Sequence, residues 1–269
     1  MNPLLQNAAD KLIREIFAVQ PGETVVITAD DDSDAAVVQA VYESAHAVGA
    51  HPLKVQMPTP RGVGKAADPD LALDALSGML LHADVWIEFN HQWLLYSTPF
   101  ERAEAQNKKL RYMCLVDFNE ALMIRTIGQV ETAQLRDFML AVTERTKNAK
   151  HMRVTTPAGC DVSFEIEPKH YTACDCGDAS KPGIHMLTGQ INVVPRFGTI
   201  QGKIVFDGSV TPPFGRIPDA PICLTIENSV ITEVTGGEDA VVFRKHLESF
   251  EDPAEDKKDR RLGRINVTD

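Results

Sequence analysis

Across residues 1–150, short apolar runs alternate with amphipathic stretches, and that alternation narrows the fold more than any single motif does. Apolar residues recur at Leu4, Leu5, Ala8, Leu12, Ile16 and Phe17, a spacing of about 3.6 residues that gives a helix over 3–18 one buried face. Pro21-Gly22 stops it. The run 24–28 reads as a buried strand, 30–34 as a polar loop with helix-capping acids, and 35–48 as a helix closed by Gly49. Further strands are expected at 51–57, 85–89 and 110–116, with helices at 69–81, 100–109 and 130–149 and a shorter helical stretch at 120–124. Strand and helix alternating at this spacing predict a mostly parallel sheet with helices on both faces.

The pattern changes after His151. Residues 152–156 and 161–166 flank a Pro-Ala-Gly turn and alternate as a hairpin half exposed to water would. Short strands are expected at 191–194, 198–206, 222–226 and 229–234, then a helix at 238–250 and a solvated charged run at 251–261. The fold class is therefore α/β plus α+β: an α/β domain over 1–150 joined to a β-rich domain over 151–269. The latter ends on Arg264-Ile-Asn-Val-Thr-Asp269 with no closing strand pair or helix evident, so the expectation is either a small domain that closes here or the front part of a longer protein.

Charge removes several classes of partner. Against 38 Asp and Glu stand 27 Lys and Arg, a net charge of -11, which is the wrong sign for a phosphate backbone, so no nucleic acid is expected. No apolar run approaches the length of a membrane span, and the opening helix carries acids through its apolar stripe, unlike a secretory signal. A cytoplasmic chain is expected. Its 5 cysteines are an odd number, and Cys114 and Cys223 lie in strand-like runs, so reduced thiols are expected rather than disulfides.

The turn after the first strand, Thr28-Ala-Asp-Asp-Asp-Ser-Asp34, has acids where a dinucleotide fold would place glycines. Its carboxylates would repel a pyrophosphate, and helix capping accounts for most of them. Gly62-Val-Gly64-Lys65 lacks phosphate-loop spacing, with Ala66 in place of the hydroxyl. His91, Trp93 and Tyr96 follow the third strand, where open α/β sheets place ligands, although a loop packing its own aromatics reads the same way. His170, Cys174, Cys176 and His185 are soft or imidazole donors, but Cys-x-Cys is too tight for a zinc knuckle and no second pair follows. Of these, His185 is the member expected to face a pocket. G-x-S-x-G and H-E-x-x-H are both absent.

Four segments carry a family resemblance: Met152-Arg-Val-Thr-Thr-Pro-Ala-Gly-Cys-Asp161, Gly189-Gln-Ile-Asn-Val-Val-Pro195, Gly202-Lys-Ile-Val-Phe-Asp-Gly208 and Ile231-Thr-Glu-Val-Thr-Gly-Gly237. With them the chain resembles the thermophilic leucyl-aminopeptidase family of aminopeptidase T type, which includes the 2,5-dihydroxypyridine ring-opening dioxygenases. The resemblance implies an α/β domain joined to a β-rich one, a homodimer, and a metal site on the second domain. In the peptidase branch a metal-binding Glu follows the glycine of the segment matching Leu187-Thr-Gly-Gln190, and here that position is Gln190, a poor substitute for a bridging carboxylate. The dioxygenase branch lacks that Glu and has stretches similar to His185-Met-Leu-Thr-Gly189 and Leu94-Leu-Tyr-Ser97, with His where this chain has Tyr96. Its iron ligands, two His and one Asp, lie in a C-terminal part that this chain does not contain; His246 matches no ligand motif, and no metal ligand is assigned.

The resemblance thus implies an Fe(II)-dependent enzyme opening a hydroxylated N-heteroaromatic with dioxygen. His185 would be a general acid/base or a donor to a ring hydroxyl, Gln190 would orient a polar atom of the substrate, and Tyr96 would close the pocket. The alternatives are a Zn- or Co-dependent aminopeptidase acting on short peptides, and a shortened or non-catalytic relative.

Overall fold

A computed structural model describes residues 2–167, 173–187, 189–211 and 213–249. In chain order the elements are α1 (Pro3–Lys11), β1 (Thr24–Asp30), α2 (Ala35–Ala47), β2 (His51–Met57), α3 (Leu73–Leu80), β3 (Val85–Glu88), α4 (Thr98–Gln106), β4 (Arg111–Cys114), α5 (Glu120–Met123) and α6 (Thr132–Lys147). Then follow β5 (His151–Thr155), β6 (Asp161–Glu165), β7 (Ala173–Asp175), β8 (Gly183–His185), β9 (Gln190–Asn192), β10 (Gln201–Phe206), β11 (Ile222–Glu227), β12 (Val230–Thr235) and α7 (Glu238–Ser249). Two compact units interleave along this order: residues up to Ala141 with Cys174–Ile191, and Val142–Ala173 with the chain from Asn192 on.

The first unit is built on a five-stranded sheet in the order β2-β1-β3-β4-β8, parallel throughout. The two-residue period of a strand divides its side chains between two apolar layers. Val25, Ile27, Val85, Ile87 and Met113 join Leu5, Leu12 and Val41 from α1, its continuation and α2 on one face. Val26, Trp86 and Tyr112 join Leu80 of α3 and Phe100 and Ala103 of α4 on the other. Helices therefore cover both faces, as the alternation in the sequence predicts.

Local chemistry sets where the helices begin. Asp34 caps α2 by accepting the N–H groups of Ala36 and Val37, and Ser97 caps α4 ahead of Pro99 in its first turn. The helix expected over 69–81 starts late: Gly64–Asp70 is a 3-10 segment containing Pro69, and α3 begins at Leu73. Leu71 (φ -102°, ψ 146°) and Ala72 (φ -78°, ψ 72°) leave the helical region and separate the two segments. β8 falls in a stretch that reads as a loop. It pairs with β4 as Arg111 with Gly183, Tyr112 with Ile184 and Met113 with His185, and its three residues are too few to show a period.

The second unit carries an antiparallel sheet in the order β12-β11-β10-β6-β5. Ile222, Leu224, Ile226 and Val234 from its strands pack with Ala240 and Phe243 of α7. β11 and β12 are joined through Asn228 and Ser229, at φ 51° and 67°, the left-handed pair that a two-residue hairpin turn requires and that asparagine tolerates. At Gly202 of β10, φ is 116° and an added Cβ would lie 2.1 Å from the Asp161 carbonyl oxygen, so only glycine fits this strand crossing.

Candidate functional site

In the first unit the strand order reverses between β1 and β3, and the crevice beyond the carboxyl ends of strands at such a reversal is where open parallel sheets bind ligands. Three acidic or polar residues lie at or just beyond these strand ends. Asp30 ends β1 and is buried; its Oδ1 accepts from Asp32 N–H (3.2 Å) and the Ser33 hydroxyl (3.0 Å), and its Oδ2 accepts the Gln92 N–H at 3.0 Å. Glu88 ends β3 with 0% exposure. Its Oε1 accepts the Leu94 N–H at 2.5 Å and its Oε2 accepts the Tyr112 hydroxyl at 2.5 Å. Asn90 is also fully buried, and among the described residues its amide has no hydrogen-bond partner.

Glu88 lies on the sheet face covered by α3 and α4, in the same layer as Trp86, whose ring centroid is 4.4 Å from that of Tyr112. Burial in this aromatic layer pushes its carboxyl up to about 7, aided by the negative charge of Asp30 and opposed by the two hydrogen bonds it accepts. Burial and the Glu88 charge push the Cys114 thiol, which ends β4, up to about 12. Cys114 is therefore not a thiolate nucleophile. His91, after β3, is hydrogen-bonded to Asp117, whose carboxylate raises the imidazole above its ordinary range, with Asp30 and Asp32 adding to the effect.

The loop from His91 to Ser97 is fastened at several points. Besides Asp30 at Gln92 and Glu88 at Leu94, the Gly64 N–H donates to Trp93 O at 2.8 Å, and Leu94 O accepts Ser97 N–H at 2.9 Å. Tyr96 is the third residue of the turn that this last bond closes, at φ 67°, with its ring exposed and edge-on to Phe100 at 5.8 Å. A tyrosine holds a left-handed conformation only where its surroundings over-determine it.

His185 ends β8 on the same carboxyl edge, with β4 between it and β3, so the two strands are about 10 Å apart. Its Nε2 lies 2.7 Å from Lys181 O. A carbonyl only accepts, so Nε2 carries the hydrogen and Nδ1 is the basic atom of the neutral ring. Burial raises the Asp175 carboxyl, opposed by the Met186 N–H it accepts and, when the ring is protonated, by His185. Gln190 begins β9, which pairs with β7 in a separate two-stranded sheet. The main sheet thus brings His185 and the Tyr96 loop to one edge, while Gln190 sits on none of its five strands. Of the metal donors weighed in the sequence, His170 lies outside the described residues. Among those described, no group of three or more His, Cys, Asp and Glu side chains is placed to hold a metal ion, and no helix is long and apolar enough to cross a membrane.

Glu88 and Asn90 escape a reading of the sequence because Val-Trp-Ile-Glu-Phe-Asn scans as a strand running out into a loop. The available signal is an acid directly after the apolar run of a central parallel strand, where both faces are covered.

Comparison with known proteins adds to this geometry. The family model described as NicX, 2,5-dihydroxypyridine 5,6-dioxygenase, matches residues 9–256. A 2,5-dihydroxypyridine 5,6-dioxygenase of Pseudomonas putida KT2440 is 25% identical over 254 residues, covering 90% of this chain and 70% of that protein. The solved structure of 2,5-dihydroxypyridine dioxygenase from Pseudomonas putida KT2440 superimposes with a TM-score of 0.68 at 23% identity, over 93% of this chain and 72% of that one. Wild-type AmpT from Thermus thermophilus shares the fold with a TM-score of 0.59 at 12% identity, over 91% of this chain and 74% of that one. With the family model matched along nearly its whole length, the chain belongs to the NicX family of 2,5-dihydroxypyridine 5,6-dioxygenases.

Proposed function

We propose that the chain is an enzyme that opens a hydroxylated N-heteroaromatic ring with dioxygen, with 2,5-dihydroxypyridine as its reference substrate. The observation that carries the reading is the family match over residues 9–256. In this scheme the exposed ring of Tyr96, held rigidly by its turn, receives the flat face of the substrate. His185 takes a proton from a ring hydroxyl at Nδ1, its other nitrogen being engaged with Lys181 O. Gln190 offers an amide to the ring nitrogen or its neighbouring oxygen.

Direct reaction of an aromatic ring with dioxygen calls for a redox centre, and Fe(II) is the metal proposed. Among the described residues no set of three His, Cys, Asp or Glu side chains is placed to hold it. The described residues bind and orient the ring and move its proton.

The test supplies the purified chain with Fe(II) and 2,5-dihydroxypyridine in aerated buffer and follows oxygen uptake with loss of the ring absorbance. One oxygen consumed per ring lost is expected, and His185→Ala should slow turnover roughly 100-fold or more. Ring loss that is unchanged in His185→Ala would remove the assigned role. Hydrolysis of a leucine chromogenic amide with Zn or Co, without ring loss, would replace the reading with that of an aminopeptidase.

A further inference from the structure

We infer that Glu88 is a positioning residue for the ring-receiving turn: from inside the sheet it sets, through Leu94 and through the rings of Tyr112 and Phe100, how Tyr96 is presented to an aromatic ligand. The inference rests on the reading of Tyr96 as the residue that meets the ring.

Two separate routes lead from this one carboxyl group to Tyr96. Along the backbone, Oε1 accepts the Leu94 N–H at 2.5 Å, and Leu94 in turn closes the turn by accepting from Ser97 N–H. Along the side chains, Oε2 accepts the Tyr112 hydroxyl at 2.5 Å, the Tyr112 and Phe100 centroids are 5.2 Å apart, and Phe100 meets Tyr96 edge-on. The turn has little freedom to adopt a different shape. Its third residue is held at φ 67°, and a Cβ on Gly64 would lie 2.9 Å from Leu95 O. A change at Glu88 is therefore passed to Tyr96 rather than absorbed by slack in the loop.

A buried, hydrogen-bonded acid commonly does no more than pair two polar groups in a core. Glu88 differs in that its charge is not fixed at working pH. Burial holds the carboxyl near 7, and ionisation strengthens both bonds it accepts. The titratable groups bearing on it are Asp30 on β1 and Tyr112 and Cys114 on β4. The turn should accordingly be held more tightly above neutral pH than below it.

The experiment labels the full chain with 15N-leucine and 15N-tyrosine and follows the amide resonances of Leu94 and Tyr96 through a pH titration, with Tyr96→Phe as the assignment control. In the wild type both resonances should move with one shared midpoint near neutral. In Glu88→Gln neither should move, and 2,5-dihydroxypyridine under nitrogen should bind roughly tenfold more weakly, with the neutral-pH dependence of binding gone. Tyr112→Phe removes a donor that favours the charged carboxylate, so it should move the shared midpoint upward. This second variant decides the matter if Glu88→Gln does not fold. A Tyr96 resonance that ignores the titration, that titrates unchanged in Glu88→Gln, or a ring affinity equal in both proteins would each overturn the inference. A wild-type chain that never binds the ring removes the proposed substrate instead, and the Leu94 and Tyr96 resonances still decide whether Glu88 positions the turn.

Discussion

The Asp30 carboxylate at the end of β1 accepts the Gln92 N–H at 3.0 Å, tying the loop after β3 across the point where the strand order of the sheet reverses. The same group satisfies the Asp32 N–H and the Ser33 hydroxyl. Asp30→Ala leaves the Gln92 and Asp32 N–H groups without this acceptor in a part-buried setting, while the Ser33 hydroxyl keeps the Phe89 carbonyl, so it should cost about 1 kcal/mol in a urea unfolding series. The loss should be local as well as global: amide exchange at Gln92 should accelerate more than exchange in the strand interiors. Uniform acceleration along the sheet would argue against a fastening role.

Stability should depend on pH through Glu88. Its folded value, about 7, lies above the ordinary 4.5, so the folded state holds its proton more tightly than the unfolded chain does. Stability from this group is complete below about pH 4.5 and is lost as pH rises to about 7, a total of about 3 kcal/mol. Glu88→Gln cannot ionise and should lose none of it. The stability difference between variant and wild type, measured by denaturant titration at a series of pH values, should shift in favour of the variant across that window and level off above it.

Asn90 places a polar amide in a buried position with no partner among the described residues. Asn90→Leu, of similar volume, removes that desolvation cost and should raise the unfolding midpoint, with a gain of about 1–3 kcal/mol. A loss of stability would show that the amide is hydrogen-bonded in solution.

Gly202→Ala forces a Cβ against the Asp161 carbonyl at a backbone angle that alanine avoids. It should destabilise the second unit by about 2 kcal/mol or more. Gly208, with nothing within 4 Å of an added Cβ and no positive φ, is the control, and Gly208→Ala should stay within about 0.5 kcal/mol of wild type. Both are read from thermal unfolding of the same preparation.

His91 and Asp117 give a directional prediction. The carboxylate raises the imidazole, so the pair contributes below the ordinary histidine range and is lost as pH climbs through the raised value. Asp117→Asn should bring the His91 titration, followed by proton NMR of the ring, back down toward its ordinary midpoint. At two exposed side chains the effect on stability should be small.

How much of this was legible before the structure depends on whether local chemistry or long-range pairing decides the feature. The α2 start is written in Asp34 and the α4 start in Ser97 and Pro99, because capping acts over a few residues. The two-layer sheet is written in Val25 to Ile27 and Val85 to Ile87, whose unbroken apolar runs need cover on both faces. Strand order is not, since nothing in β1 itself says that β2 and β3 will lie on opposite sides of it. Glu88 is missed for a related reason: the Tyr112 hydroxyl it accepts, and the α4 residues that cover its face of the sheet, come from later in the chain. The position of the His91 to Tyr96 loop could be anticipated from its place after a strand, but its rigidity depends on Gly64 and Asp30, which lie far away in sequence.

β8 also bears on how the protein is made. The fifth strand of the first sheet comes from Gly183–His185, which leave the ribosome only after the β5–β6 hairpin of the other unit. Until then β4 is an open edge with unsatisfied backbone groups, a template for pairing with a neighbouring nascent chain. Synthesis therefore begins the second unit, with its β5–β6 hairpin, before it finishes the N-terminal one. A gene fragment ending near residue 150 should for this reason yield an aggregation-prone product, even though it encodes every helix of the parallel sheet.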